Sequence, residues 1–322
     1  MFERFIHGNL QKRYVDKNTC DNKRFLYPLS LSTRDFFRYT MNTRLSHPAQ
    51  CRYFLIAHII CILLTFLPLQ AHDTWLLPQK FRLKPEERSI LALTSGMAFP
   101  SNEFAILPER VNQAFVLLAG EKTVLAKREK MPKALQFPIM LPNVGVATAF
   151  VSLLPKTLDL SPKLVREYLR EIGASDSLQS VWKNVPNTDK TKRWREEYTK
   201  HTKTFVFVGK EESYRQDSSW QTPCGMTLEI LPESHPGLLR PASVFPVQVL
   251  LNGKPLANFP LECLLQGKKH GIMRKTDSAG RVHFPLRIPG RYLLRGTLLQ
   301  PSQSNALDWQ SHFTTLTFEV QR

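Results

Sequence analysis

Beyond position 81 the apolar residues of this chain come in short stretches, broken every few positions by glycine or proline. That punctuation favours many short strands over long helices. The stretches 88–94, 114–118, 123–126 and 146–151 read as strands, separated by Gly96, Pro100, Pro108, Gly120, Pro132, Pro138 and Pro142. The pattern then changes. Ser161 and Pro162 supply an N-cap and a first-turn proline, followed by Leu164, Val165, Tyr168, Leu169 and Ile172 at helical spacing and closed by Gly173. A second helix is expected over 177–183. A third is expected over 189–203, where Trp194, Tyr198 and His201 fall at i, i+4 and i+7. Strand character returns at 204–208, so the helical signal at 161–203 reads as a small insertion inside a β-domain.

Residues 210–222 are polar and turn-rich, as in a linker or long loop. Seven strand-like stretches follow, at 226–231, 244–251, 261–266, 271–276, 282–286, 292–299 and 313–320. Asn252-Gly253 is a hairpin signal of the type I′ kind, and Asp277 to Gly280 makes another tight connection. The expected fold class is all-β, with two β-sandwich domains. Residues 72–222 form the first, with its helical insertion; residues 223–322 form the second, immunoglobulin-like or prealbumin-like.

Residues 53–69 are the one long apolar run. Arg44 and Arg52 precede it, and Ala71 closes it with a small residue. Positive flank, apolar core and small terminal residue make a signal-peptide pattern over 41–71. Cleavage after Ala71 would place the protein in the periplasm or outside the cell; an uncleaved anchor is the alternative. Residues 1–40 show no sustained apolar period, and Met41 reads as the true start, with 1–40 an over-extended or disordered leader. The formal charge is +17. Its Lys and Arg are spread along the chain without an RNA-recognition, zinc-finger or basic-zipper signature, which argues against nucleic acid and for solubility or an anionic envelope surface. Only Cys224 and Cys263 follow the expected cut, giving one possible disulfide or two small buried hydrophobes.

If the cut falls after Ala71, His72 begins the mature chain. Its α-amine and imidazole form a bidentate nitrogen donor suited to Ni, Co or Cu ions. Asp73 adds a carboxylate or orients the ring, and the alternative is a polar terminal residue tucked against Trp75. A complete site needs further ligands, for which His201, His235, His270, His283 and His312 are available. His201 is the chosen partner; His283 and His312 read as ordinary strand-face residues, and His235 as solvated in a turn. The metal set is therefore His72, Asp73 and His201. No catalytic motif accompanies it: there is no G-x-S-x-G, H-E-x-x-H, P-loop or G-x-G-x-x-G. The acidic pairs Glu86-Glu87, Glu196-Glu197 and Glu211-Glu212 read as solvated charge. Trp182, Trp194, Tyr198, Trp220 and Trp309 read as core or junction packing more than as a ligand groove.

Three pieces together carry a family resemblance. They are the start His72-Asp73-Thr74-Trp75-Leu76-Leu77-Pro78, the segment from Tyr198 to Lys203 leading into a strand and Gly209, and a C-terminal set. That set contains Asn252-Gly253-Lys254-Pro255-Leu256, Thr276 to Gly280, Pro289-Gly290-Arg291-Tyr292 and Asp308-Trp309. In this order they resemble a bacterial family of exported proteins of unknown function, formerly labelled NikM-like after periplasmic components of nickel and cobalt transport complexes. The resemblance implies a periplasmic location and a role in nickel or cobalt uptake; with the His72 donor and the missing catalytic motifs, the first reading is a non-enzymatic metal-binding protein with an envelope transporter as partner. The second reading is a structural or interaction protein whose immunoglobulin-like domain meets another envelope protein or a glycan. A third is a copper-dependent oxidase.

Overall fold

The computed structural model describes residues 72–322. The expectations for 1–71, including the cut after Ala71, lie outside the described residues. The chain is all-β, as the punctuated apolar stretches require, and its strands fall into three sheets. The first sheet runs β1 (Asp73–Pro78), β3 (Arg88–Gly96), β8 (Leu135–Met140), β7 (Glu129–Lys130), with β4 (Phe104–Ala105) also on β3. The second and largest has at its centre β18 (Gly290–Pro301), β19 (Trp309–Val320), β11 (Trp194–Val208) and β9 (Gly145–Leu153). Beyond β18 it continues through β15 (Pro260–Leu265) to β16 (Ile272–Lys275), and beyond β9 through β5 (Val111–Leu118) to β6 (Glu121–Val124). The short strands β2 (Arg82–Leu83) and β10 (Lys156–Leu160) also pair with β11. The third sheet joins β12 (Leu228–Pro232), β13 (Ser243–Leu251), β14 (Lys254–Pro255) and β17 (Arg281–Leu286).

All seven strands expected after 222 are present, and they form a sandwich. Leu228, Ile230, Phe245, Val247, Phe284 and Leu286 of the third sheet pack against Leu261, Leu294, Leu316 and Phe318 of the large one. The Asn252-Gly253 turn has positive φ at both residues (50° and 76°), the backbone a type I′ hairpin needs. The first two expected helices are also found, as α1 (Pro162–Glu171) and α2 (Asp176–Lys183).

The third expected helix does not form. Residues Trp194–Val208 are one strand of 15 residues, β11. Thr199, Thr202 and Thr204, with the aromatics around them, suit a pleated surface, and tertiary pairing overrides the i, i+4, i+7 spacing. β11 is the partition of the molecule. Phe205 and Phe207 on one face join a core with Phe245 and Phe318. Val206 and Val208 on the other join a core with Leu76, Leu93, Phe137 and Val151. Trp194 at its start joins a third core with Val165, Leu169 and Trp182 under the helices.

β11 also pairs in parallel with β19, from Glu196↔Trp309 to Thr204↔Thr317, so the large sheet runs unbroken between residues before and after 222. Residues 210–222 hold a short helix and a 3-10 turn, and Tyr214 and Trp220 are buried in the shared core. The described residues belong to one compact unit. Cys224 and Cys263 are free thiols, and burial pushes both up to about 12, so they act as small hydrophobes. Among the described residues no helix is long and apolar enough to cross a membrane.

Candidate functional site

Among the described residues β1 is an edge strand, paired with β3 on one side. The carbonyls of its other edge, at His72, Thr74 and Leu76, accept from the side chains of Lys200, Thr315 (2.7 Å) and Thr317 (2.6 Å). Side chains thus do for β1 what a neighbouring strand would do, and the edge is closed to further pairing. Asp73 is held by Arg295, which also binds Glu262 at 2.6 Å. The His72 ring sits edge-on to Phe104, centroids 5.0 Å apart. Next to this latch lies the larger cleft, of about 520 Å³, with Asp73, Glu262 and Arg295 among its lining and Arg170, Lys269 and His270 also bordering it.

Side chains alternate along a strand, so Lys200, which reaches β1, and His201 leave β11 on opposite faces. His201 is 4 % exposed. Its Nδ1 shares a hydrogen bond with Ser152 Oγ at 3.0 Å. The His312 ring from β19 lies at 5.9 Å between centroids, the planes inclined by 21°. His201 Nε2 and His312 Nδ1 are both buried without a protein hydrogen-bond partner, as is Thr314 Oγ1. Thr314 is the register partner of His201 across the parallel pair. Burial first, then the neighbouring His312, pushes the His201 imidazole down to about 4, and burial also lowers His312. Both rings are neutral at pH 7, so each carries one nitrogen lone pair.

Of the metal set expected from the sequence, the structure leaves His72 and Asp73 at the β1 latch and puts His201 on the far face of β11. It brings His201 to His312 instead. Among the described residues no group of three or more His, Cys, Asp or Glu side chains is placed to hold an ion. His270 is exposed at the cleft and His283 is exposed on β17. His235 is not solvated as the turn suggested. Its Nδ1 accepts from Gly237 N at 3.0 Å, its Nε2 meets Tyr214 O at 2.9 Å, and it packs beside Tyr214 and Trp220.

Two buried polar groups escaped the sequence. Glu196, expected in solvent, is fully buried. It accepts from Tyr168 Oη at 2.9 Å, Trp194 Nε1 at 2.6 Å and Ser311 Oγ. Burial raises its carboxyl above the ordinary 4.5, against the pull of those three donors. A raised acid in the folded state contributes stability that is full below the unfolded value and is lost as pH rises through the folded one. Glu196→Gln keeps an acceptor for the Trp194 indole, and its amide can donate to the two hydroxyls. Its stability gain over the parent is expected to grow in urea titrations as pH rises above the range where an unfolded carboxyl titrates. A gain that stays flat above that range would show that the carboxyl does not titrate there. The second group is Lys203, ion-paired with Glu229 at 2.6 Å, both side chains almost wholly buried.

Fold and site together define an all-β sandwich protein with a buried imidazole pair in the wall between its layers. Residues 69–298 match the family described as a domain of unknown function, DUF4198, and the chain belongs to that family, which carries no assigned activity. No curated protein matches the chain. Among solved structures it is similar to the D0-D1 domain of Intimin, at 12% identity and TM-score 0.21 over 78% of this chain and 98% of that one. It is also similar to an alpha-2-macroglobulin of Salmonella, at 11% identity and TM-score 0.20 over 76% of this chain and 15% of that one. The adhesin InvE of Yersinia pseudotuberculosis aligns at 11% identity and TM-score 0.18, over 77% and 58% of the two chains. Scores of this size carry no functional inference.

Proposed function

We propose that this chain is an exported, non-catalytic binding protein of the cell envelope that takes up a transition-metal ion at His201 and His312, for delivery to an envelope transporter. The observation that carries the reading is the pair of buried ring nitrogens, His201 Nε2 and His312 Nδ1, without protein partners on rings 5.9 Å apart. A buried nitrogen left unpaired is costly, and a metal ion would engage both. The donor set fits: neutral imidazoles suit nickel, cobalt and copper. Ser152, bonded to the other nitrogen of His201, fixes that ring's orientation as an outer partner of a metal-bound histidine does. Thr314 Oγ1 and water complete the set. Asp73, already held by Arg295, is outside it.

The test is calorimetric titration of residues 72–322, with His72 as the first residue, by Ni²⁺, Co²⁺ and Cu²⁺. One saturable site is expected, weakened at least about tenfold by His201→Ala and by His312→Ala, since loss of even an outer-shell partner costs that much. One extra residue ahead of His72 is expected to leave it unchanged. Binding abolished by that extra residue would move the site to the terminal amine. No binding tighter than about 0.1 mM, roughly 5.5 kcal/mol, would remove the metal reading altogether.

A further inference from the structure

We propose that the lateral edge of the first sandwich, residues 121–133 with the neighbouring Met140 and Val144, docks on an anionic lipid surface. β6 is the last strand of the large sheet and β7 the last of the first sheet, so one continuous segment forms both edges on this side. Of its thirteen residues only Leu125 is buried. The segment carries Lys122, Lys127, Arg128, Lys130 and Lys133 against Glu121 and Glu129, a balance of 5 − 2 = +3. Its one ion pair among the described residues, Lys127 with Glu129, is long at 3.6 Å, and the lysine side chain is 76% exposed. Lys122 lies over the Phe115 ring at 3.9 Å. Arg128, Lys130 and Lys133 therefore present their charge outward.

Apolar side chains stand among these cations. Val124 is 60% exposed and Met140 57%, with Met131 and Val144 close behind. Val124 and Met140 border a groove of about 280 Å³ with Leu125, Ile139 and Leu141 in its wall. Lysines on an edge strand ordinarily serve to prevent pairing with another strand, and here they do that too. That purpose is served by charge alone, however, and exposed valine and methionine work against it. Cations interleaved with apolar side chains fit a different surface. The apolar groups enter the headgroup layer, while Lys and Arg extend their stems to keep the charge among lipid phosphates. A second copy of this edge would meet it with the same sign of charge, and a nucleic acid would leave the valine and methionines unmatched.

Sedimentation with vesicles tests the proposal, using residues 72–322 so that the apolar run at 53–69 does not contribute. Binding is expected to mixed phosphatidylglycerol and phosphatidylcholine vesicles, to fall with added salt, and to be weak on phosphatidylcholine alone. Arg128→Glu, Lys130→Glu and Lys133→Glu together should reduce it by about tenfold or more, because each cation near an anionic surface contributes separately. Met131→Ser with Met140→Ser should reduce it at unchanged charge. These substitutions are on exposed positions, and unchanged thermal melts will show that the fold is intact. Equal binding by the charge-reversed chain, equal binding to neutral vesicles, or no binding would each overturn the proposal. So would self-association, seen by ultracentrifugation and abolished by the same substitutions, since it would assign the edge to a second copy.

Discussion

Glu229→Ala is expected to lower the stability of this protein by about 3–5 kcal/mol, the size of loss seen when one member of a buried ion pair is removed. The reason is what the carboxylate leaves behind. Lys203 Nζ sits 2.6 Å from Glu229 Oε1, with side-chain exposures of 1% and 2%. The same carboxylate accepts from the backbone amides of Cys224 (2.8 Å), Gly225 (3.1 Å) and Met226 (3.3 Å). Alanine strands an ammonium in the interior together with three amide donors. The converse change, Lys203→Met, removes the cation but leaves Glu229 hydrogen-bonded to three backbone amides. Its loss should therefore be clearly smaller. Adding Lys203→Met to Glu229→Ala should recover part of the damage, because no buried charge is then unpaired. Urea midpoints at constant slope measure all three. Equal losses for the two single variants would mean that the amides, and not the pairing of charges, are unimportant to this site.

This pair also explains what the sequence could and could not reveal. The strands after 222 were legible because β13 and β17 alternate between a packed face and an outer one, and because the short apolar stretches are separated by turns of known chemistry, such as Asn252-Gly253. Helix α1 was legible from a cap residue, a proline and a 3.6-residue period. β11 was not. It is covered on both faces, so it has no polar side, and at Glu196, Lys200, His201 and Lys203 its inward residues are polar or charged. Each is tolerated by a partner far along the chain: Ser311 for Glu196, the His72 carbonyl for Lys200, Ser152 for His201 and Glu229 for Lys203. No local pattern announces such partners. A run of charged and aromatic residues then reads as an exposed amphipathic helix.

The site was half legible for the same reason. His201 could be singled out by residue type, but its neighbour His312 lies 111 positions away on a parallel strand and looked like an ordinary face residue. The alternation of a strand would have separated Lys200 from His201, had the segment been read as a strand. Once it is, His72 and the imidazole pair fall on opposite sides of one wall. The opening motif His72 to Pro78 then has a structural task of its own.

That task sets the second large effect. Trp75→Ala is expected to cost about 3–5 kcal/mol, as truncation of a buried aromatic does when the cavity cannot close. Trp75 is fully buried, edge-on to Phe99 at 5.6 Å between centroids, in a hydrophobic cluster that includes Leu264 and Leu293. Its cavity would open beneath an edge strand whose outer carbonyls are held by the side chains of Lys200, Thr315 and Thr317. Trp75→Phe keeps a ring in the core and removes an indole N–H that is buried without a partner, so its cost should stay below about 1.5 kcal/mol. Denaturant midpoints separate the two, and a phenylalanine variant as unstable as the alanine one would show that the indole N–H has a role in holding β1. The same variants discriminate between the metal readings. At a temperature where Trp75→Ala remains folded, loosening β1 should leave nickel, cobalt or copper affinity unchanged if the ion sits between His201 and His312, which leave their strands on the face away from the latch. A site built on the amine and ring of His72 would lose affinity with the strand that carries it.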